Sequence, residues 1–182
     1  MRWSFVLVFL FACAHTPPSR ARDYYVLETG TTWVYDAILL GRSEVHTVVM
    51  GPERDGYWLD DSGGKIAYDG LGLRDERRYL LKEPLETGAH WKSVTAIGTT
   101  ETYDIIAAHE PCSVPAGKFA DCMRVRSRAP AAEGHTLENQ MTFARGVGLV
   151  HVKTTLLSAA PPGSVPTSAI TQVELTLTAF RR

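Results

Sequence analysis

Val173-Glu-Leu-Thr-Leu-Thr-Ala179 decides the fold class: in an extended chain Val173, Leu175, Leu177 and Ala179 fall on one face and Glu174, Thr176 and Thr178 on the other. The same two-residue period recurs upstream. Val150, Val152, Thr154 and Leu156 alternate with His151, Lys153 and Thr155, and Met123, Val125 and Ser127 alternate with Arg124, Arg126 and Arg128. One buried and one wet face is the pattern of antiparallel strands. Further strands are expected near Thr32 to Leu40, Val45 to Met50, Gly56 to Asp60, Lys65 to Asp69 and Arg78 to Lys82, then Lys92 to Ala96, Tyr103 to His109 and Leu137 to Phe143. Asp61-Ser-Gly-Gly64 reads as a hairpin turn and Ser158 to Ser168 as a Pro-rich loop joining the last two strands. No segment demands a long helix. A mostly β fold follows: about ten strands in one antiparallel sheet, which must curve strongly into a half-barrel or partly open barrel to bury a face and limit its edges.

The chain opens differently. Arg2 supplies a positive charge and Phe5 to Ala12 is an uncharged apolar run, the pattern of a signal peptide over residues 1–12. The run is far shorter than the roughly 20 residues a transmembrane helix needs. It closes in Leu10-Phe-Ala-Cys13, which resembles the bacterial lipobox, and implies that Cys13 carries lipid and anchors the chain to a membrane. Ala14 is not the aspartate that retains enterobacterial lipoproteins at the inner membrane, so the resemblance implies the outer membrane, facing the periplasm or the exterior. Residues 13–23 include the adjacent prolines Pro17 and Pro18 and read as an extended tether, with one folded domain over 24–182.

Cleavage after Ala12 leaves 170 residues, enough for one domain with a core. The segment removed carries one of the 19 Lys and Arg residues and none of the 20 Asp and Glu, so the rest is close to neutral. That balance argues against a nucleic-acid partner. Two cysteines remain, Cys112 and Cys122, with a Pro-Ala-Gly turn signal midway between them. In an exported chain they are expected to pair across a hairpin as a disulfide, stabilising by roughly 2 to 3 kcal/mol. Their nine-residue gap matches no metal or redox motif, and no cofactor or metal is expected.

Leu27-Glu-Thr-Gly-Thr-Thr-Trp33 recurs as Leu85-Glu-Thr-Gly-Ala-His-Trp91, with five of seven positions identical. Gly30 and Gly88 suit a turn at positive φ leading into a strand, with Trp33 and Trp91 as buried corner plugs. The alternative is a pair of aromatic ligand clamps, for instance for carbohydrate. Four segments occur in order: Tyr24-Tyr-Val-Leu-Glu-Thr-Gly-Thr-Thr-Trp-Val-Tyr35, Pro84-Leu-Glu-Thr-Gly-Ala-His-Trp91, Val114-Pro-Ala-Gly-Lys-Phe119 and Gly146-Val-Gly-Leu-Val150. Together they make the chain resemble uncharacterised bacterial lipoproteins and periplasmic proteins carrying a domain of unknown function. That group is distantly similar to the carriers that ferry lipoproteins to the outer membrane. The resemblance spans about Tyr24 to Phe180, implies a sheet curved into a half-barrel and lends no catalytic residues. Cys112 departs from the group's pattern.

Catalytic motifs are absent: no nucleophile elbow, zinc pair, phosphate loop or calcium loop occurs. His109-Glu110 and Asp60-Asp61 could supply an acid or base, but fall at expected strand ends where solvated charges are ordinary. Arg124, Arg126 and Arg128 share one face roughly 7 Å apart and could meet an acidic protein or lipid phosphates, or be solvated. The sequence therefore reads as a lipoprotein with a non-catalytic binding or assembly module. A carrier of a lipid or acyl chain in an apolar concavity is the alternative, and a hydrolase ranks third.

Overall fold

The structure, a computed structural model, describes residues 20–159 and 168–182. The signal segment 1–12, Cys13, the first part of the tether and most of the expected loop over 158–168 lie outside them. The described residues form twelve strands: β1 (Thr32–Leu39), β2 (Arg42–Arg54), β3 (Tyr57–Asp60), β4 (Lys65–Asp69), β5 (Gly72–Arg74), β6 (Tyr79–Lys82), β7 (His90–Ala96), β8 (Thr99–Val114), β9 (Gly117–Pro130), β10 (Thr136–Ala144), β11 (Gly148–Leu157) and β12 (Ala169–Arg181). Two 3-10 turns, Ala21–Tyr24 and Ala132–Gly134, are their only helical pieces. The count exceeds the expected ten chiefly because β5 is three residues long, too short to show a period.

All twelve belong to one antiparallel sheet in the order β6-β5-β4-β3-β2-β1-β12-β11-β10-β9-β8-β7, curled into a nearly closed barrel. Every neighbouring pair is consecutive in sequence except β1 and β12, whose pairing from Thr32↔Arg181 to Leu39↔Val173 unites the two halves of the chain. The sheet's edges, β6 and β7, are consecutive in sequence. Side chains close the seam between them. The Trp91 indole Nε1 donates to the Tyr79 carbonyl at 3.1 Å, and Arg78 forks onto both oxygens of Glu101 at 3.0 and 2.8 Å. Glu101 also accepts from the Tyr103 hydroxyl, so this buried carboxylate is fully engaged.

The repeated motif opens both halves with the same geometry. At the first copy Gly30 N–H donates to Met50 O (2.7 Å), Met50 N–H to Thr31 O (2.8 Å) and Thr31 N–H to Glu28 O (3.1 Å). At the second, Gly88 N–H donates to Ile105 O (2.8 Å), Ile105 N–H to Ala89 O (2.9 Å) and Ala89 N–H to Glu86 O (3.0 Å). Gly30 and Gly88 take φ of +89° and +91°, where a Cβ would be strained. Each turn drives its tryptophan inward. Trp33 lies between the rings of Tyr25 and Phe180 and donates to Val147 O at 2.9 Å; Trp91 stacks on Tyr103 with centroids 5.1 Å apart. Both are buried, each anchoring one of the two core clusters, so neither ring is displayed as a ligand clamp.

The folded chain begins earlier than residue 24. Ala21 and Tyr24 are buried, Ala21 N–H donates to Glu83 Oε1 at 3.2 Å, and Gly146 N–H donates to Asp23 O at 2.7 Å. The last residues expected in the tether are therefore part of the domain.

Trp33→Phe and Trp91→Phe keep most of the buried ring but leave Val147 O and Tyr79 O without their donor. Each should lower unfolding free energy by about 1–3 kcal/mol in urea titrations, against about 3–5 kcal/mol for the alanine variants. Unchanged midpoints for both Phe variants would refute the indole hydrogen bonds as a source of stability.

Candidate functional site

Strand lengths set where the barrel is open. β3 to β6 run three to five residues, whereas β8 to β12 run nine to sixteen. One wall is thus too short to cover the opposite one. Register places three cross-strand rows on the inner face of the long wall: Met141, Val152 and Leu175; then Asn139, Thr154 and Val173; then Leu137, Leu156 and Ile170. In an enclosed barrel these would be buried, but the first eight are only part-buried and Ile170 is 59% exposed. Apart from Asn139 and Thr154, they line a part-covered apolar trough.

At its inner end the trough runs into a cavity of about 330 Å³ between the β4–β6 wall and the β10–β11 wall. Ile66, Leu80, Met141, Phe143, Leu149 and Val152 supply its apolar surface, with Tyr25 at its side. Its polar groups are already bonded to one another. Asn139 accepts from Thr154 Oγ1 at 2.7 Å and donates to Ser127 Oγ at 3.4 Å, and Arg78 is held by Glu101 and by Asp75 at 3.1 Å. Burial first, and the Asp60 carboxylate second, push the Tyr25 phenol well up, so it stays protonated. A volume near 330 Å³ is at the small end for ligand pockets, and satisfied polar walls favour an apolar occupant.

The opposite end, where β1 begins, is plugged. The 3-10 turn Ala21–Tyr24 lies across it, held where Tyr68 Oη donates to Tyr25 O at 2.6 Å. The long β8–β9 hairpin also reaches over, its tip residue Ala116 donating from N–H to Leu177 O on β12 at 3.1 Å. Cys112 and Cys122 are bonded to each other and pin this hairpin below its tip.

A polar latch fastens the plug. The buried Tyr24 hydroxyl donates to Asp121 at 2.7 Å and lies 3.1 Å from His109 Nδ1; Arg145 Nε donates to the same carboxylate at 2.7 Å, and its Nη1 lies 3.4 Å from Asp23. His109 is the extra residue of a bulge between Ala108↔Met123 and Glu110↔Cys122, at φ +60°, a left-handed conformation that aims its ring at the latch. Partial burial works to raise the Asp121 carboxyl, but hydrogen bonds from Tyr24, Arg145 and His109 outweigh it and hold the group below the usual carboxylate range.

The candidate acid and base residues do not converge. Asp60 accepts from Ser62 and Gly64 in the β3–β4 turn, and Asp61 accepts from Val49 N–H at 2.8 Å, so both are turn-formers. Glu110 pairs with Arg124, so of the four only His109 reaches the latch, where its Nδ1 lies 3.2 Å from Asp121. Among the described residues no group of three His, Cys, Asp or Glu side chains could hold a metal. The arginine row does share one face, yet each member meets a carboxylate on a neighbouring strand: Arg124 with Glu110 (3.2 Å), Arg126 with Asp104 (3.2 Å) and Arg128 with Glu138 (2.7 Å). A row neutralised in this way offers an anion little.

Because the folded Asp121 titrates below its unfolded value of about 4, the latch contributes fully above that value and is lost as pH falls through the depressed one. Asp121→Asn should cost about 1–3 kcal/mol at pH 7 and converge on the parent at low pH, read by urea titrations across pH. It should also speed tryptic cleavage after the exposed Arg22; parallel curves and equal cleavage would refute the latch.

No protein-family profile matches the chain, and no curated protein matches it. Two solved structures resemble it. One, a candidate lipoprotein from Parabacteroides distasonis ATCC 8503, has 12% sequence identity over 87% of this chain and 98% of that one, with a TM-score of 0.48. The other, a candidate exported protein with a YmcC-like fold from Bacteroides fragilis NCTC 9343, has 11% identity over 88% of this chain and 99% of that one, with a TM-score of 0.49.

Proposed function

We propose that this chain is a lipoprotein, held at the outer membrane through lipid on Cys13, whose barrel is a non-catalytic binding module for an apolar, chain-like ligand such as an acyl chain. The observation that carries the ligand class is the trough of Met141, Val152, Leu175, Leu137, Leu156 and Ile170 leading into the cavity of about 330 Å³. Part-covered apolar side chains in a row attract apolar partners, at roughly 25 cal/mol for each Å² they remove from water. Support for the anchor comes from the apolar run ending in Leu10-Phe-Ala-Cys13. Ala14 after the cysteine supports the outer-membrane destination. Binding without catalysis accords with the separate engagements of His109, Glu110, Asp60 and Asp61.

Cys13→Ser should abolish incorporation of labelled palmitate and move the protein from the membrane to the soluble fraction; continued labelling would sink the anchor. Soluble protein carrying that substitution should show co-purified or added fatty acid in native mass spectrometry. Val152→Glu, which places a charge in the trough, should lower occupancy at least tenfold while circular dichroism stays unchanged, since an unpaired carboxylate costs well over the ~1.4 kcal/mol that a tenfold change represents. A parent protein that takes up no fatty acid would remove the ligand class.

A further inference from the structure

β2 is paired along only part of one side. β1 covers it from Arg42↔Leu39 to Val49↔Thr32, but on its other side β3 meets only Met50, Glu53 and Arg54. Val49 spans the boundary: its N–H donates to Asp61 Oδ1 at 2.8 Å and its carbonyl accepts from Asp61 N–H at 3.1 Å, both on the side away from β1. The register with β1 runs unbroken, so the two-residue period points the N–H and C=O of Thr47, Val45 and Ser43 the same way. Among the described residues no strand meets them. Three donors and three acceptors on an exposed edge are a template for another strand.

We propose that this edge joins two copies of the chain, β2 pairing antiparallel with β2 of the second copy about a twofold axis at Val45. The sequence Arg42-Ser-Glu-Val-His-Thr-Val48 is self-complementary in that register. Val45 bonds to its own counterpart and Ser43 to Thr47 of the other copy, giving six N–H···O bonds in all. Glu44 of each copy faces His46 of the other, so two carboxylate–imidazole pairs form on one face. On the opposite face Val45, 69% exposed, meets its counterpart, with Asp36 directly beside it on β1 and Ile38, 42% exposed, on the diagonal. Other registers satisfy fewer groups. A shift that centres on Glu44 sets the two Glu44 side chains against each other and sends Thr47 to the turn at Gly41. The opposite shift sets His46 against His46 and requires Val49, already bound to Asp61. Opposite charges across an antiparallel pair stabilise and like charges destabilise.

Directly opposed, hydrogen-bonded residues have Cα atoms about 5.5 Å apart, inside the range of a disulfide. The full chain carrying Val45→Cys, oxidised on intact membranes, should run as a covalent dimer on a non-reducing gel. The parent chain and a Val94→Cys control, 72% exposed at the far end of the sheet, should not. In the Val45→Cys background, Glu44→Lys should erase the dimer band by facing Lys against His46, and Glu44→Lys with His46→Glu should restore it. Dimer no greater than in the Val94→Cys control overturns the proposal. So does failure of the double exchange to restore it, and so does a crosslink to a different protein in place of the dimer, which would mean that the edge receives a foreign strand.

Discussion

Twelve antiparallel strands in one sheet cannot lie flat, and the pairing of β1 with β12 is what turns them into a barrel. Each half of the chain is a meander of six strands, and neither alone has enough apolar surface facing an opposite wall. Joined at β1 and β12, the halves curl toward each other until β6 and β7 meet. That seam has no strand hydrogen bonds. Trp91 and the Arg78–Glu101 fork replace them, at the edge positions where an open sheet would invite aggregation. The duplicated Leu-Glu-Thr-Gly-x-x-Trp corner fits this arrangement, because it stands at the head of β1 and of β7, where each half-sheet begins and needs a large side chain turned inward.

Closure is uneven, and the unevenness sets which inward-facing side chains stay part-covered. β3 to β6 of the N-terminal half are short strands with turns held by Asp60, Asp61 and Asp69, while the C-terminal half has strands up to sixteen residues long. The long wall therefore stands beyond the short one with its inner face half-covered. At the plugged end the opposite holds, where the N-terminal turn, the disulfide-pinned hairpin and the Asp121 latch are stacked over one another. The two ends of the barrel are thus built differently, one capped by the N-terminal turn and the hairpin, the other left to the longer strands.

Much of this was legible in the sequence, and the rest was hidden for identifiable reasons. The core of β9 keeps its two-residue period, and β12 keeps it from Val173 to Leu177, but a bulge at Thr178 turns Phe180 rather than the expected Ala179 toward Trp33, and a bulge at Val150 interrupts β11 in the same way. β8 was underestimated, expected from Tyr103 to His109 but running from Thr99 to Val114, because bulges near Ala107, His109 and Cys112 break the period where the strand continues. The Asp121 latch could not be read at all. Its members Tyr24, His109 and Arg145 lie up to 122 residues from their partners and share no spacing motif. The arginine face was readable from alternation, but its neutralisation was not, since register with the neighbouring strands decides which carboxylate meets which guanidinium. The trough was invisible for a related reason: whether an inward-facing Val152 is covered depends on the length of strands a hundred residues away.

The place of β12 has a bearing on how the chain reaches its native state. β1 pairs on one side with β2, its neighbour in sequence, and on the other with β12, about 140 residues further along the chain. Until Ala169–Arg181 arrives, the first six strands have one unpaired flank and no opposite wall, and the indole of Trp33 lacks Phe180 against it. Such a chain is kept from closing early by its own topology. A fold whose two halves are joined by strands this far apart in sequence gains its long-range pairing only when both strands are present.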